Sequence, residues 1–210
     1  MPNLTKQQPH NKENELDKLK IEMSKDKSLP LLKNATRLVF GVGNPESKFI
    51  FIGEGPGYWE DQKGEPFVGN AGKLLDRLLQ SIKLDRSKIY ITNVVHHRPP
   101  ENRDPTPEEI AAYAPYLDRI IEIINPKLII TLGRFSMAKF LAGVKITAVH
   151  GNNFDIKLNG KDIIVIPMYH PAAALRSSQV MELMKNDFLN LSETISRIKN
   201  EPAGKQLNLI

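Results

Sequence analysis

The sequence predicts an α/β fold of three layers, α/β/α, with a central, mostly parallel four-stranded sheet between helices. Short runs rich in Ile, Val and Phe alternate with longer segments whose apolar residues recur at helical spacing, the pattern of successive βα units. The strand-like runs also lack polar alternation, as strands buried on both faces require. In addition, glycines and unusual polar residues collect where those runs end. In open α/β sheets that is where ligands bind.

The elements follow in order along the chain. Residues 1–12 are polar and read as disordered, while Leu16, Leu19 and Met23 recur among Lys and Glu and predict one short amphipathic helix. Residues 1–27 are therefore expected to be a polar tail carrying that helix, 28–200 the folded domain, and 201–210 a C-terminal tail. KFIFIG (48–53) is the first strand, and AGKLLDRLLQSI (71–82) a helix with Leu74, Leu75, Leu78 and Leu79 on one face. IYITNVV (89–95) is the second strand. PTPEEIAAYAPYLDRIIEII (105–124) opens on a Thr-x-x-Glu capping pattern, Thr106 to Glu109, and continues with helical periodicity. KLIITLG (127–133) is the third strand, SMAKFLAG (136–143) a helix ended by Gly143, and DIIVIPMYHP (162–171) a fourth strand running into a loop. The polar clusters at 54–57, 93–100 and 170–176 then bring three strand ends to one cleft.

Composition narrows the chemistry. A chain of 210 residues suits one domain with a full core. It contains no cysteine, which excludes disulfides, thiol catalysis and every Cys-ligated zinc or iron–sulfur site. A net charge of +5 and a pI near 9.3 suit a polyanionic partner without requiring one. Apolar runs are only strand-length, and the N-terminal MPNLTKQQPHNKENEL lacks an apolar core and carries acidic residues, so the expectation is a cytoplasmic protein.

The stretch FIGEGPGYWEDQKGEPFVGNAG (51–72) gathers glycines at 53, 55, 57, 64, 69 and 72 directly after the first strand. It is not a phosphate-binding loop of the G-x-x-x-x-G-K type, since Asn70 follows Gly69 where lysine is needed. A dinucleotide fingerprint fails as well, with Tyr58 in place of its third glycine. Acidic residues at 54, 60, 61 and 65 would oppose a phosphate. What remains is either a set of turn glycines with Pro66 and Phe67 packed in the core, or a loop whose backbone comes close to a ligand.

The ordered set GEGPG (53–57), EPFVGNAG (65–72), ITNVVHHRPPENRDPTPEE (91–109) and YHPAAAL (169–175) resembles the uracil-DNA glycosylase superfamily, most closely its family 4, over residues 28–195. The resemblance implies a four-stranded parallel sheet flanked by helices and a monofunctional enzyme of base excision repair. Such an enzyme flips uracil out of DNA and hydrolyses its N-glycosidic bond. It implies that Phe67 stacks on the base and that Asn93 offers a donor to O4 and an acceptor to N3–H. His170 would donate to O2 as negative charge grows there. Gly55 and Gly57 would let the backbone approach base and sugar, while carboxylates face the cationic sugar: Glu54 lining the base pocket, Glu60 or Asp61 ordering the water. In related families an aspartate stands where this chain has Gly55. Residues 172–176 resemble the loop that enters DNA, running from Ala172 to Leu175 as an apolar wedge and Arg176 near a phosphate, with a basic surface at His96, His97 and Arg98.

Two departures stand out. Family 4 members typically hold a 4Fe–4S cluster on four cysteines, and the corresponding positions here are Asp26, Leu29, His97 and Tyr113, so neither cluster nor metal is expected. Leu29, His97 and Tyr113 are expected to pack together instead. His96 and His97 should point to opposite faces of an extended strand, a poor metal pair. The terminal QLNLI resembles the bacterial sliding-clamp binding motif, with Gln206, Leu207, Leu209 and Ile210 as its anchors and Ile210 replacing the usual aromatic. The protein is expected to be a monomer whose partner is uracil-containing DNA. Beside this reading stand a superfamily member acting on another damaged base, and a non-catalytic DNA-binding protein on the same scaffold.

Overall fold

The computed structural model describes residues 11–200. The clamp-like residues Gln206, Leu207, Leu209 and Ile210 and the first ten residues lie outside the described residues. The chain runs α1 (Lys12–Lys25), β1 (Val42–Gly43), β2 (Phe49–Gly53), α2 (Tyr58–Lys63), α3 (Asn70–Ser81), β3 (Tyr90–Asn93), α4 (Pro107–Ile124), β4 (Leu128–Leu132), α5 (Arg134–Ala138), α6 (Ile146–Val149), β5 (Phe154–Leu158), β6 (Lys161–Met168), α7 (Pro171–Ala174) and α8 (Ser178–Asn200).

The strands form one sheet in the order β1-β3-β2-β4-β6-β5. The central four, β3, β2, β4 and β6, are parallel and are the four that the sequence predicts. An antiparallel strand flanks each edge, so the sheet has six strands rather than four. β1 is only two residues long and leaves no periodicity to detect. β5 is a half-exposed edge strand joined to β6 through Asn159 and Gly160, both at positive φ, the Asn-Gly turn that closes tight hairpins.

Alternate residues of each buried strand serve opposite layers, because successive side chains of a strand point to opposite faces. Phe49 and Phe51 pack with Leu74, Leu75, Leu78 and Leu79 of α3 and with Phe188 and Leu191 of α8. Ile50 and Ile52 pack on the other face with Tyr113, Leu117, Ile120 and Ile121 of α4. Leu16, Leu19 and Met23 join this second layer and are buried, so α1 is part of the core rather than of a polar tail. α8, which the pattern along the sequence did not single out, closes the first layer. The helix expected at 136–143 is shorter and earlier, Arg134–Ala138.

Helix α4 begins with the predicted capping box: Glu109 N–H donates to Thr106 Oγ1 (3.2 Å) while the Thr106 N–H donates to the Glu109 carboxylate (2.8 Å). β2 has β3 on one side and β4 on the other, so chain direction across the sheet reverses at β2 and a crevice opens at the C-terminal ends of these strands. No helix among the described residues is long and apolar enough to cross a membrane.

Candidate active site

A cavity of ≈ 540 Å³ occupies that crevice. Its wall is built from the ends of four strands: Glu54, Gly55 and Gly57 after β2, Asn93 at the end of β3, Arg134 after β4, and His170, Ala172 and Arg176 after β6. Glu60, Phe67 and Asp104 complete much of the rest.

Asn93 is 1% exposed, and its Oδ1 is buried without a hydrogen-bond partner. An orphaned buried acceptor costs about 1–3 kcal/mol, a cost that a ligand donor would remove. Gly53 makes room for it: a Cβ there would lie 2.4 Å from Asn93 Oδ1 and 2.7 Å from the Phe67 ring. Phe67 has φ 54°, a left-handed conformation that is costly for an aromatic residue and that clusters at functional sites. Two contacts hold it there. The Glu60 carboxylate accepts the N–H groups of Val68 (2.9 Å) and Gly69 (2.8 Å), and Gly72 lets α3 press against the Phe67 backbone, where a Cβ would stand 1.9 Å from its carbonyl oxygen.

The His170 ring lies 5.6 Å from the Phe67 ring, tilted by 31°. Its Nδ1 accepts the Ala172 N–H (3.2 Å), which leaves the proton of the neutral ring on Nε2 as a donor. Burial pulls its pKa down to about 4, with Glu60 opposing that pull and Arg176 adding to it. Burial pushes the Glu54 carboxyl above its ordinary value, Asp104 reinforces the push, and Arg134 counters it. An aromatic wall, an amide with an unmet acceptor, a neutral imidazole donor and carboxylates thus face one space large enough for a nucleobase.

The chain matches the family model of the uracil DNA glycosylase superfamily over residues 40–192. The chain belongs to the uracil-DNA glycosylase superfamily. Among its relatives, the type-4 uracil-DNA glycosylase of Sulfurisphaera tokodaii is 45% identical over 184 residues, covering 85% of this chain and 84% of that one. That of Archaeoglobus fulgidus is 45% identical over 184 residues, covering 85% and 92%. That of Thermotoga maritima is 46% identical over 174 residues, covering 82% and 88%.

Within this superfamily member, Asp61 departs from the role expected of it. It is 2% exposed, does not line the cavity, and accepts the N–H groups of Thr36 (2.8 Å) and Arg37 (3.2 Å), anchoring α2 to the preceding loop. Of the three carboxylates expected to face the sugar, Glu54 and Glu60 line the cavity. Leu175 is 45% exposed and precedes the cavity residue Arg176, and Arg98 lies over the Tyr58 ring at 5.3 Å while its Nε donates to Asn102 Oδ1 (2.7 Å).

His96 and His97 do not form a basic surface. Both are buried, and burial pulls their pKa values down to about 3 and about 4, so they are neutral core residues. Nor do they serve opposite faces: both rings lie against Tyr113, with centroids 6.0 and 5.8 Å away. The four positions that the resemblance to family 4 assigns to cysteines do not fit an iron–sulfur cluster, because none offers a thiolate and three of them are engaged otherwise. His97 Nδ1 and Tyr113 OH are 2.8 Å apart, Leu29 is buried, and the Asp26 carboxylate accepts from Tyr116 OH (2.8 Å).

Sequence reasoning did not name Arg134 or Asp104, which form an ion pair at the cavity. Arg134 directly follows the third predicted strand, so the strand-end rule that found the other clusters also points to it.

Proposed function

We propose that this protein is a monofunctional uracil-DNA glycosylase that extrudes uracil from DNA and hydrolyses its N-glycosidic bond, the opening step of base excision repair. The observation that carries the reading is the buried, unpartnered Oδ1 of Asn93, an acceptor for which uracil N3–H is the matching donor, with the same amide's N–H₂ available to O4. Cytosine presents the reverse pair. Extrusion brings the base against Phe67, which replaces stacking lost in the duplex.

As the bond to C1′ breaks, electrons move onto the uracil ring and negative charge grows at O2. The Nε2–H of neutral His170 then stabilises that oxygen in a space shielded from water. The sugar becomes cationic, and the cavity carboxylates Glu54 and Glu60 supply negative charge and orient the attacking water. Among the described residues the cavity wall holds no lysine, which supports attack by water rather than by an amine. Since the chain has no thiolate, the reading includes no iron–sulfur cluster.

The test is single-turnover uracil release by Asn93→Asp beside wild type. Aspartate keeps the shape and the acceptor but loses the donor to O4 and sets a negative charge against the developing anion. The expected fall is about 10²- to 10³-fold, the size of losing one such stabilising group. Wild-type rates in the variant would remove Asn93 from recognition.

A further inference from the structure

Six large hydrophobic residues are conspicuously exposed among the described residues, and three of them adjoin cavity-lining residues in the chain: Tyr58 and Trp59 lie between Gly57 and Glu60, and Leu175 precedes Arg176. Leu175 has its place on the DNA-entering loop. Tyr58 and Trp59, 50% and 57% exposed, have no role in the chemistry above, and exposing two adjacent aromatics is unfavourable unless something covers them.

We propose that Tyr58 and Trp59 form a stacking platform on the cavity rim for a base of the uracil-bearing strand next to the extruded nucleotide, favouring single-stranded DNA; this rests on the uracil-DNA reading. The two rings meet edge to face with centroids 5.2 Å apart. Tyr58 reaches toward the β3 side of the mouth, under the Arg98 guanidinium, whose Nε is bound to the cavity residue Asn102. Trp59 reaches the opposite side, its Cδ1 3.5 Å from where a Cβ of Gly69 would stand, beside the Glu60 carboxylate. The pair therefore spans the rim between the loop after β3 and the start of α3.

The underside of α2 is fixed by buried Asp61, so the rings are presented from a rigid support. Flat aromatic faces beside an arginine, continuous with a base-sized cavity, match an unpaired nucleobase and its phosphate. In an intact duplex the neighbouring base stays paired and stacked, and reaches the platform only by further unstacking.

Trp59 is the sole tryptophan of the chain, so the emission of the full-length protein reports directly on it. Titration with a short, uracil-free oligothymidylate, which involves no catalysis, should quench that emission saturably, and a duplex of thymidylate with its complement much less. In binding measurements with labelled DNA, Trp59→Ala and Tyr58→Ala should weaken single-strand affinity by about 5- to 150-fold, the range for losing one stacked base, and duplex affinity far less. Trp59→Phe should restore most of it, and unchanged thermal midpoints would exclude misfolding.

Unquenched emission at saturation, or equal losses on both DNA forms, would overturn the platform. So would emission that changes with protein concentration alone, which would mean that a second copy of the chain covers the rings. Quenching by single strands in a protein that releases no uracil would sink the functional reading and leave the platform standing.

Discussion

The Ala172 N–H fixes the acceptor of His170 at Nδ1, and burial holds its pKa at about 4, so at neutral pH the residue has one tautomer and one proton to offer. Protonation of this imidazole should therefore leave no mark on the rate between pH 9 and 5. His170→Ala should lower single-turnover release by about 10²- to 10³-fold across that range. A limb centred near the ordinary histidine value in wild type that vanishes in His170→Ala would contradict the neutral donor. At this scale the sequence was informative where a residue's place depends on one short motif: Asn93 ends a strand, and His170 caps the helix that follows another. It was silent where placement depends on which way a helix turns. Asp61 lies one residue from Glu60 on α2, yet it faces Thr36 and Arg37 while Glu60 faces the cavity, and spacing alone does not set that rotation.

A buried hydrogen bond ties helix α4 to the segment after β3. Tyr113 on α4 bonds to His97 after β3, and the Leu31 backbone bonds to the same phenol oxygen. Tyr113→Phe keeps the ring but leaves buried His97 Nδ1 without this partner, so urea unfolding should show a loss of about 1–3 kcal/mol. An unchanged midpoint would show that packing alone holds this corner. The central strands and α3 and α4 were legible because each buries a full apolar face or run. β1 is too short for a pattern, and α1 reads as polar because only three of its positions carry the contact with the core. The Asn159-Gly160 signal of the β5–β6 hairpin was present in the sequence and names an element that hydrophobic runs do not.

Acid stability belongs to the molecule as a whole. His96, His97 and His170 have folded pKa values of about 3, 4 and 4 against an ordinary 6.5, because burial disfavours their charged forms. Between those values and 6.5 the unfolded chain binds more protons than the folded one. This contribution is therefore complete above pH 6.5 and is lost as pH falls, by up to ~4 kcal/mol per pH unit if all three titrate together. Glu54 and Asp187, whose carboxyls are pushed up by burial, act the other way and reduce the net slope. Urea unfolding at pH 7, 6 and 5 should still show falling stability, and a flat or rising profile would contradict the buried neutral histidines.

The same molecule places Phe67, Asn93 and His170 around a base-sized cavity on a chain without a single cysteine, so its activity should depend on no cluster. Alkaline cleavage of labelled DNA carrying one uracil tests this most directly, with the uracil opposite G, opposite A and in a single strand, thymine and hypoxanthine as controls, and EDTA throughout. The account predicts uracil-specific nicks that EDTA leaves unchanged. Intact DNA in every lane, or nicking that EDTA abolishes, would contradict it.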